Sequence, residues 1–208
     1  MSETSHTARP SSERPVPGLS SKFTGWVLLI SGLVGFAPSF ILAVEKYWLL
    51  TNPFYSPSCT LGETLSCAPV MTSWQAELFG FPNPYLGIAG FAVIAASGGA
   101  LLGGAHLSAR YWSGLQVGAT LGTVFVGWLM YQSMVNIQAL CPYCMVVWAA
   151  MFMTMWYVTV ESLKRLSPKL SSRAQRLTRT AVRRHDIILL SWFVLVAVLV
   201  NIAASTFA

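Results

Sequence analysis

Residues 141–160 read CPYCMVVWAAMFMTMWYVTV, a close cysteine pair that leads directly into an apolar run. Pro142 suits the first turn of a helix, because the N–H group that proline lacks has no partner there. Cys141 then occupies the N-cap, where unpaired N–H groups and the helix dipole favour a thiolate. The two intervening residues let both sulfurs meet across one turn, which predicts a reversible disulfide. A structural disulfide or a zinc ligand pair uses the same spacing.

This run is one of five in a chain of 208 residues, of which 54% are hydrophobic and 10% are charged. Soluble domains contain about 25% charged residues, so the composition predicts an integral membrane protein. Each run has about 20 residues, enough for a helix to cross a bilayer. The runs occupy residues 23–44, 84–105, 113–135, 142–160 and 187–207. The predicted fold is therefore all-α, with multi-pass transmembrane helices.

The positive-inside rule orients these helices. With a cytoplasmic N-terminus, all but one of the 13 Lys and Arg residues fall on the cytoplasmic side, and the exception is Lys46. Both cysteine pairs then lie outside, in the compartment where disulfides persist. We therefore predict a protein of the cell inner (plasma) membrane. Topology and attraction to membrane lipid account for the basic residues, so nucleic-acid binding is not predicted.

The predicted organisation has four parts. Residues 1–21 form a disordered cytoplasmic tail, because they are polar and nearly devoid of apolar side chains. Residues 22–163 form a transmembrane helical unit, which includes an extracytoplasmic loop at 45–83. Residues 164–186 form a basic cytoplasmic loop, either a surface helix or a solvated connector. Residues 187–208 form a fifth transmembrane helix.

The loop at 45–83 carries the second cysteine pair, Cys59 and Cys67, with the spacing C-x7-C. A mobile dithiol there can exchange with a soluble protein and with the pair at the membrane in turn, although a structural disulfide fits the spacing too. Farther along the loop, Thr72 and Gln75 resemble a capping box and Gly80 resembles a helix stop. These signals predict one short amphipathic helix over 73–79, which acts as a lid on the bundle.

Two further features concern the helix interiors. They contain no Asp, Glu, Lys or Arg in the predicted spans, which disfavours transporters, pumps and ion channels. Small residues recur on one side of several helices, which predicts close helix packing. These residues are Gly32, Gly35, Gly87, Gly90, Gly118 and Gly122.

Together these motifs resemble the vitamin K epoxide reductase family, and in particular its bacterial stand-alone members. The resemblance covers residues 23–160 and rests on the order and spacing of a few residues. These are Cys59 and Cys67 in the first outer loop, Asn83 before the second helix with Gly87 four residues on, and Cys141 and Cys144 at the fourth helix.

The resemblance implies a four-helix bundle around a quinone of the menaquinone, ubiquinone or vitamin K type, capped by the cysteine loop. It implies that Cys144 lies beside the quinone and that Cys141 is its disulfide partner. Cys67 would attack Cys141, and Cys59 would exchange with an extracytoplasmic thioredoxin-like protein. Asn83 matches the family asparagine that donates a hydrogen bond to a quinone carbonyl, where a pre-placed donor stabilises developing charge.

Trp148 departs from the pattern, because vertebrate members carry a tyrosine at this position. The indole either packs on the quinone or is an ordinary lipid- or core-facing aromatic. His6, His106 and His185 are predicted at or near the cytoplasmic face, so protons for the quinone would come from thiols or water.

The predicted function is thus that of a membrane thiol:quinone oxidoreductase that supports disulfide-bond formation, with no resident metal. Two alternatives remain open. The disulfide-bond formation protein B family performs the same reaction with two cysteine pairs in the reverse order. A structural or metal-binding membrane protein would use the four cysteines as zinc ligands or fixed disulfides.

Overall fold

The computed structural model describes residues 21–60, 62, 65–166 and 184–207. The predicted tail at 1–21, except residue 21, and most of the basic loop at 164–186 lie outside the described residues. The described part of the chain is helical, as predicted. Its α-helices are α1 (Ser21–Thr51), α2 (Ala68–Thr72), α3 (Pro84–Leu102), α4 (Ala109–Gln132), α5 (Pro142–Leu166) and α6 (His185–Phe207). A 3-10 turn (Trp74–Glu77) follows α2, and a π-helical turn (Ser133–Ile137) extends α4.

Four of these helices, α1, α3, extended α4 and α5, are long and apolar enough to cross a membrane. Helix α1 packs against α3 and α5, and α4 packs against α5, whereas α3 and α4 make little contact with each other. The core includes Leu28, Phe91, Trp148 and Val158. The apolar part of α6, Leu189–Ile202, is shorter, so its membrane crossing stays a prediction. Helix α6 contacts the bundle where Trp192 packs edge-on against Phe152 with ring centroids 5.0 Å apart.

Close packing at glycine is confirmed between α1 and α3. A Cβ atom at Gly32 would lie 2.5 Å from the backbone nitrogen of Ala95, and one at Gly35 would overlap the Phe91 ring. Gly87 meets Ser39 in the same way, and Gly122 lies close to a methionine of α5. The same interpretation is wrong for Gly90 and Gly118. No described atom lies within 4 Å of a Cβ placed at either, because both line a cavity.

The prediction that α1 ends near residue 44 is wrong. The helix continues to Thr51, so Glu45 and Lys46 lie within it rather than in the following loop. Both side chains are buried, at 5% and 6% exposure. The expectation of helix interiors without charged groups therefore fails at this end of α1. The physical reason is that apolar residues resume at Tyr47 and the two charges find partners in the loop.

The lid, which consists of α2 and the 3-10 turn, is built differently from the predicted helix at 73–79. Thr72 ends α2, where its hydroxyl donates to the Ala68 carbonyl at 2.9 Å instead of capping a helix start. Extended backbone at Ser73 separates α2 from the 3-10 turn Trp74–Glu77. Gly80 does end this segment, with a positive φ of 78° that glycine adopts readily.

Candidate active site

The helix start at Cys141 is built as its sequence predicts. Helix α5 begins at Pro142, and the Cys141 carbonyl accepts the N–H of Met145 at 3.1 Å. The Cys141 sulfur accepts the N–H of Cys144 at 3.3 Å. A sulfur in the N-cap position is thereby bound by an otherwise unpaired backbone donor. Cys141 and Cys144 are both free thiols.

Cys59 and Cys67 form a disulfide in the loop above this helix start. Cys67 is fully buried and precedes the first residue of α2, and its sulfur lies 3.0 Å from that of Cys141. The sulfurs of Cys59, Cys67 and Cys141 all lie within 4.8 Å of one another. The structure thus brings the mobile pair predicted from sequence directly onto the helix-capping pair.

Backbone pairing sets this alignment. Leu65 and Leu140 form an isolated parallel β-bridge, in which the Ser66 N–H donates to the Leu140 carbonyl at 3.1 Å. The turn that delivers Leu140 is made by Gln138, which has a positive φ of 57°. Leu140 directly precedes Cys141, and Leu65 lies two residues before Cys67. The sulfurs therefore meet because the two chain segments run side by side.

Electrostatics prepare Cys141 as a nucleophile. The hydrogen bond with the Cys144 side chain is the largest influence and lowers the pKa of Cys141 below the ordinary value of 9.0. Burial opposes this, while the backbone N–H groups of Cys144 and Tyr143 lower the pKa further and Glu45 raises it. The net direction is downward, so more of this thiol is present as the reactive thiolate near neutral pH.

This predicts a pH profile for alkylation of Cys141. In a Cys59→Ser, Cys67→Ser protein, the rate should rise with pH as the thiolate forms, with a midpoint below the ordinary pKa of 9.0. Adding Cys144→Ala should shift the midpoint upward, because the side-chain hydrogen bond that lowers the pKa most is removed. Peptide mass spectrometry after timed alkylation measures both midpoints. An unchanged midpoint would contradict the assigned cause.

Beyond Cys144 lies a cavity of about 700 Å³ with predominantly apolar walls. It is lined by residues of the lid and of α1, α3, α4 and α5. Cys144, Asn83 and Trp148 all line it, so the structure brings the three predicted quinone contacts to one space. Trp148 lies one helical turn after Cys144 and is 4% exposed. It is part of the core and of the cavity wall at once.

Asn83 places a polar side chain in the wall of this cavity. It stands at the N-cap of α3, yet its side chain does not cap the helix. Instead the amide NH2 donates to the Gln75 carbonyl at 2.6 Å, which fixes the orientation of the side chain. The Oδ1 atom is buried and has no hydrogen-bond partner among the described residues. Because this buried oxygen is an acceptor, it calls for a donor such as water or a hydroxyl group of a bound ligand.

Sequence reasoning missed two residues near this site, Glu45 and Lys46. Lys46 lines the cavity, and both residues bond to the cysteine loop. The available signal was the run Tyr47-Trp48-Leu49-Leu50, which continues the apolar pattern of α1 past the charged pair. Charged residues flanked by apolar residues on both sides indicate a buried helical position rather than the start of a loop.

The comparisons with known proteins agree with this geometry. The model of the vitamin K epoxide reductase family matches residues 26–159, well over half of the chain. A search of curated proteins finds no significant match. The matched range includes all four cysteines, Asn83, Trp148 and most or all of each of the four long apolar helices. The chain therefore belongs to the vitamin K epoxide reductase family.

Proposed function

We propose that this protein is a membrane thiol:quinone oxidoreductase that regenerates disulfides in an extracytoplasmic thioredoxin-like partner. The observation that carries the proposal is the continuous path of sulfur atoms to the cavity. The Cys59–Cys67 disulfide leads to Cys141 across 3.0 Å, Cys141 contacts Cys144, and Cys144 lines the cavity beside Asn83.

Disulfide exchange carries two electrons from the partner through the loop to the helix pair. A thiolate of the reduced partner attacks Cys59, Cys67 leaves as a thiolate, and the second partner thiol completes the partner's disulfide. The Cys67 thiolate then attacks Cys141 of an oxidised Cys141–Cys144 pair, and Cys144 leaves as a thiolate. Finally Cys59 attacks Cys67 and releases Cys141. The loop is then oxidised and the helix pair reduced, which is the state in the structure.

The second half-reaction takes place in the cavity. A bound quinone would accept two electrons and two protons and leave as the quinol, while Cys141 and Cys144 return to a disulfide. Membrane quinones have higher potentials than ordinary protein dithiols, so electrons flow in this direction. Asn83 would orient the ring through its amide, and Trp148 would pack on it as part of the wall. The apolar walls suit the hydrocarbon part of a lipid-soluble quinone.

The topology belongs to the same proposal. The cysteine loop faces the extracytoplasmic side of the plasma membrane, and the N-terminus lies in the cytoplasm, because nearly all basic residues then lie inside. In that arrangement the sulfur path begins in an oxidising compartment, where partner proteins acquire disulfides.

A metal-binding role is the second candidate, because three cysteine sulfurs cluster within 4.8 Å. Zinc binds thiolates, so this role requires an intact, reduced Cys59 and Cys67. We expect the purified protein to contain far less than one zinc per chain. We also expect a thioredoxin-like reductant to open the loop disulfide and drive quinol formation. Metal analysis and quinone absorbance measure the two. One tightly bound zinc per chain, with no quinol formed, would favour the metal-binding role.

A further inference from the structure

Glu45 and Lys46 are consecutive buried charged residues near the end of α1. Consecutive helix residues point in different directions, so the two side chains contact different parts of the protein. Buried charges need compensating partners, and each of these finds its partners in the cysteine loop. The partners of Glu45 precede Cys59, whereas those of Lys46 follow Cys67.

Glu45 holds the segment before Cys59. Its carboxylate accepts the Ser58 N–H at 3.1 Å and the Ser58 hydroxyl at 2.5 Å. It also accepts the Tyr55 hydroxyl at 3.1 Å. Partial burial and this carboxylate raise the pKa of Tyr55, which keeps the hydroxyl protonated as a donor. Since Ser58 is bonded covalently to Cys59, these contacts fix the position of the first loop sulfur.

Lys46 holds the segment after Cys67. Its ammonium group donates to the Met71 carbonyl at 2.7 Å and pairs with the Glu77 carboxylate at 2.8 Å. Met71 belongs to α2, whose N-cap is Cys67, and Glu77 belongs to the 3-10 turn of the lid. Lys46 therefore ties both lid elements to the bundle at the edge of the cavity.

The position of Cys59 shows why separate anchors matter. The residue is only 4% exposed, and its sulfur lies within 4.8 Å of the sulfurs of Cys67 and Cys141. A thioredoxin-like protein cannot reach a sulfur in that position, although the proposed function requires it to do so. The segment before Cys59 must therefore leave the bundle, while Cys67 needs to stay aligned with Cys141 for the inner exchange.

We propose that Glu45 is a latch for Cys59, whose contacts open and close during the cycle. Lys46 is an anchor for Cys67 and the lid, whose contacts stay in place. This inference rests on the proposed function for its purpose. Both are positioning residues, because they act on the sulfurs through the loop. Opening the Glu45 contacts exposes the disulfide to solvent, whereas the Lys46 contacts hold the lid closed over the cavity throughout the cycle.

The test uses the full chain in lipid nanodiscs with Cys141→Ser and Cys144→Ser, so that the loop disulfide is the one reducible group. A water-soluble phosphine opens it, and mass spectrometry follows the rate. Glu45→Gln should raise this rate roughly 10-fold or more, because charge-assisted hydrogen bonds become weaker neutral ones. Lys46→Gln, the matched neutralisation, should change it less than about threefold.

In the four-cysteine protein, Lys46→Gln should instead lower the affinity for a short-chain quinone about 10-fold.

Glu161→Gln is the control, because it neutralises a largely buried carboxylate elsewhere, on α5, where Glu161 pairs with Arg165 at 3.0 Å. It should leave the reduction rate unchanged. If Glu45→Gln fails to fold, the double variant Tyr55→Phe, Ser58→Ala weakens the same latch from the loop side and should also speed reduction. Equal acceleration by Lys46→Gln, or unaltered rates in both latch variants, would overturn the proposal. Phosphine reduction needs neither quinone nor partner, so its rates test the latch independently of the proposed function. A wild-type chain that binds no quinone would overturn the proposed function. The reduction rates would still decide whether Glu45 is a latch.

Discussion

Replacing Cys144 by serine is expected to abolish quinone reduction, with a loss of at least roughly 10³-fold, as for removal of a covalent nucleophile. Cys144 is the helix-pair thiol that lines the cavity, whereas Cys141 faces the loop at 3.0 Å from Cys67. Without Cys144, Cys141 has no partner with which to re-form the helix disulfide. Electrons then have no route from the loop to the cavity. Quinol formation with a dithiol reductant, followed by absorbance, measures the loss.

The same variant should show a second, covalent signature. The Cys141 thiolate can still attack Cys67 and release Cys59, but Cys144 is no longer there to resolve the mixed disulfide by attacking Cys141. A Cys67–Cys141 disulfide should therefore accumulate and appear as a linked peptide pair under non-reducing conditions. Met153→Leu serves as the control, because Met153 lies on α5 but does not line the cavity. Undiminished quinone reduction in Cys144→Ser would refute the assigned path.

Replacing Gly118 by leucine should raise the KM for quinone about 10- to 100-fold, by filling part of the cavity with an isobutyl group. Gly118 lies on α4 and lines the cavity, and no described atom is within 4 Å of a Cβ placed there. A side chain at this position therefore starts from open space and takes up room in the cavity that the ligand would use. Steady-state kinetics with quinones of increasing chain length measure the effect.

Gly127→Leu provides a matched control on the same helix. Gly127 likewise has no described atom within 4 Å of an added Cβ, but it does not line the cavity. Both substitutions should favour helix formation, because leucine is a better helix former than glycine. Only Gly118→Leu should change the KM. Equal KM values in the two variants would contradict the assignment of this cavity as the quinone site.

The sequence was most informative where chemistry and spacing are local. The C-P-Y-C motif alone predicts a helix start with Cys141 at its N-cap, and the structure confirms it. Apolar runs likewise predict the four long helices, since a helix that crosses a membrane needs a continuous apolar stretch. The family resemblance supplied what spacing could not, namely that Asn83 and Cys144 line one cavity.

Tertiary contacts account for what the sequence could not predict. Glycines that pack against a neighbouring helix and glycines that line a cavity look the same in a sequence, as Gly87 and Gly90 show. The charged pair at the end of α1 is buried because loop residues compensate it, and those partners are distant in sequence. A lid interrupted at Ser73 results from packing over the bundle, which overrode a local helix-start signal.

The short β-bridge between Leu65 and Leu140 makes the loop sensitive to its length. Backbone atoms form the bridge, whereas packing in the core favours apolar side chains at both positions. A residue inserted between Leu65 and Cys67, however, would shift the sulfur by about 3.3 Å along the strand direction. That shift is as large as the 3.0 Å gap that the sulfurs must bridge. Related chains should therefore keep a fixed number of residues from each bridge position to its cysteine, whichever apolar residues occupy the two bridge positions.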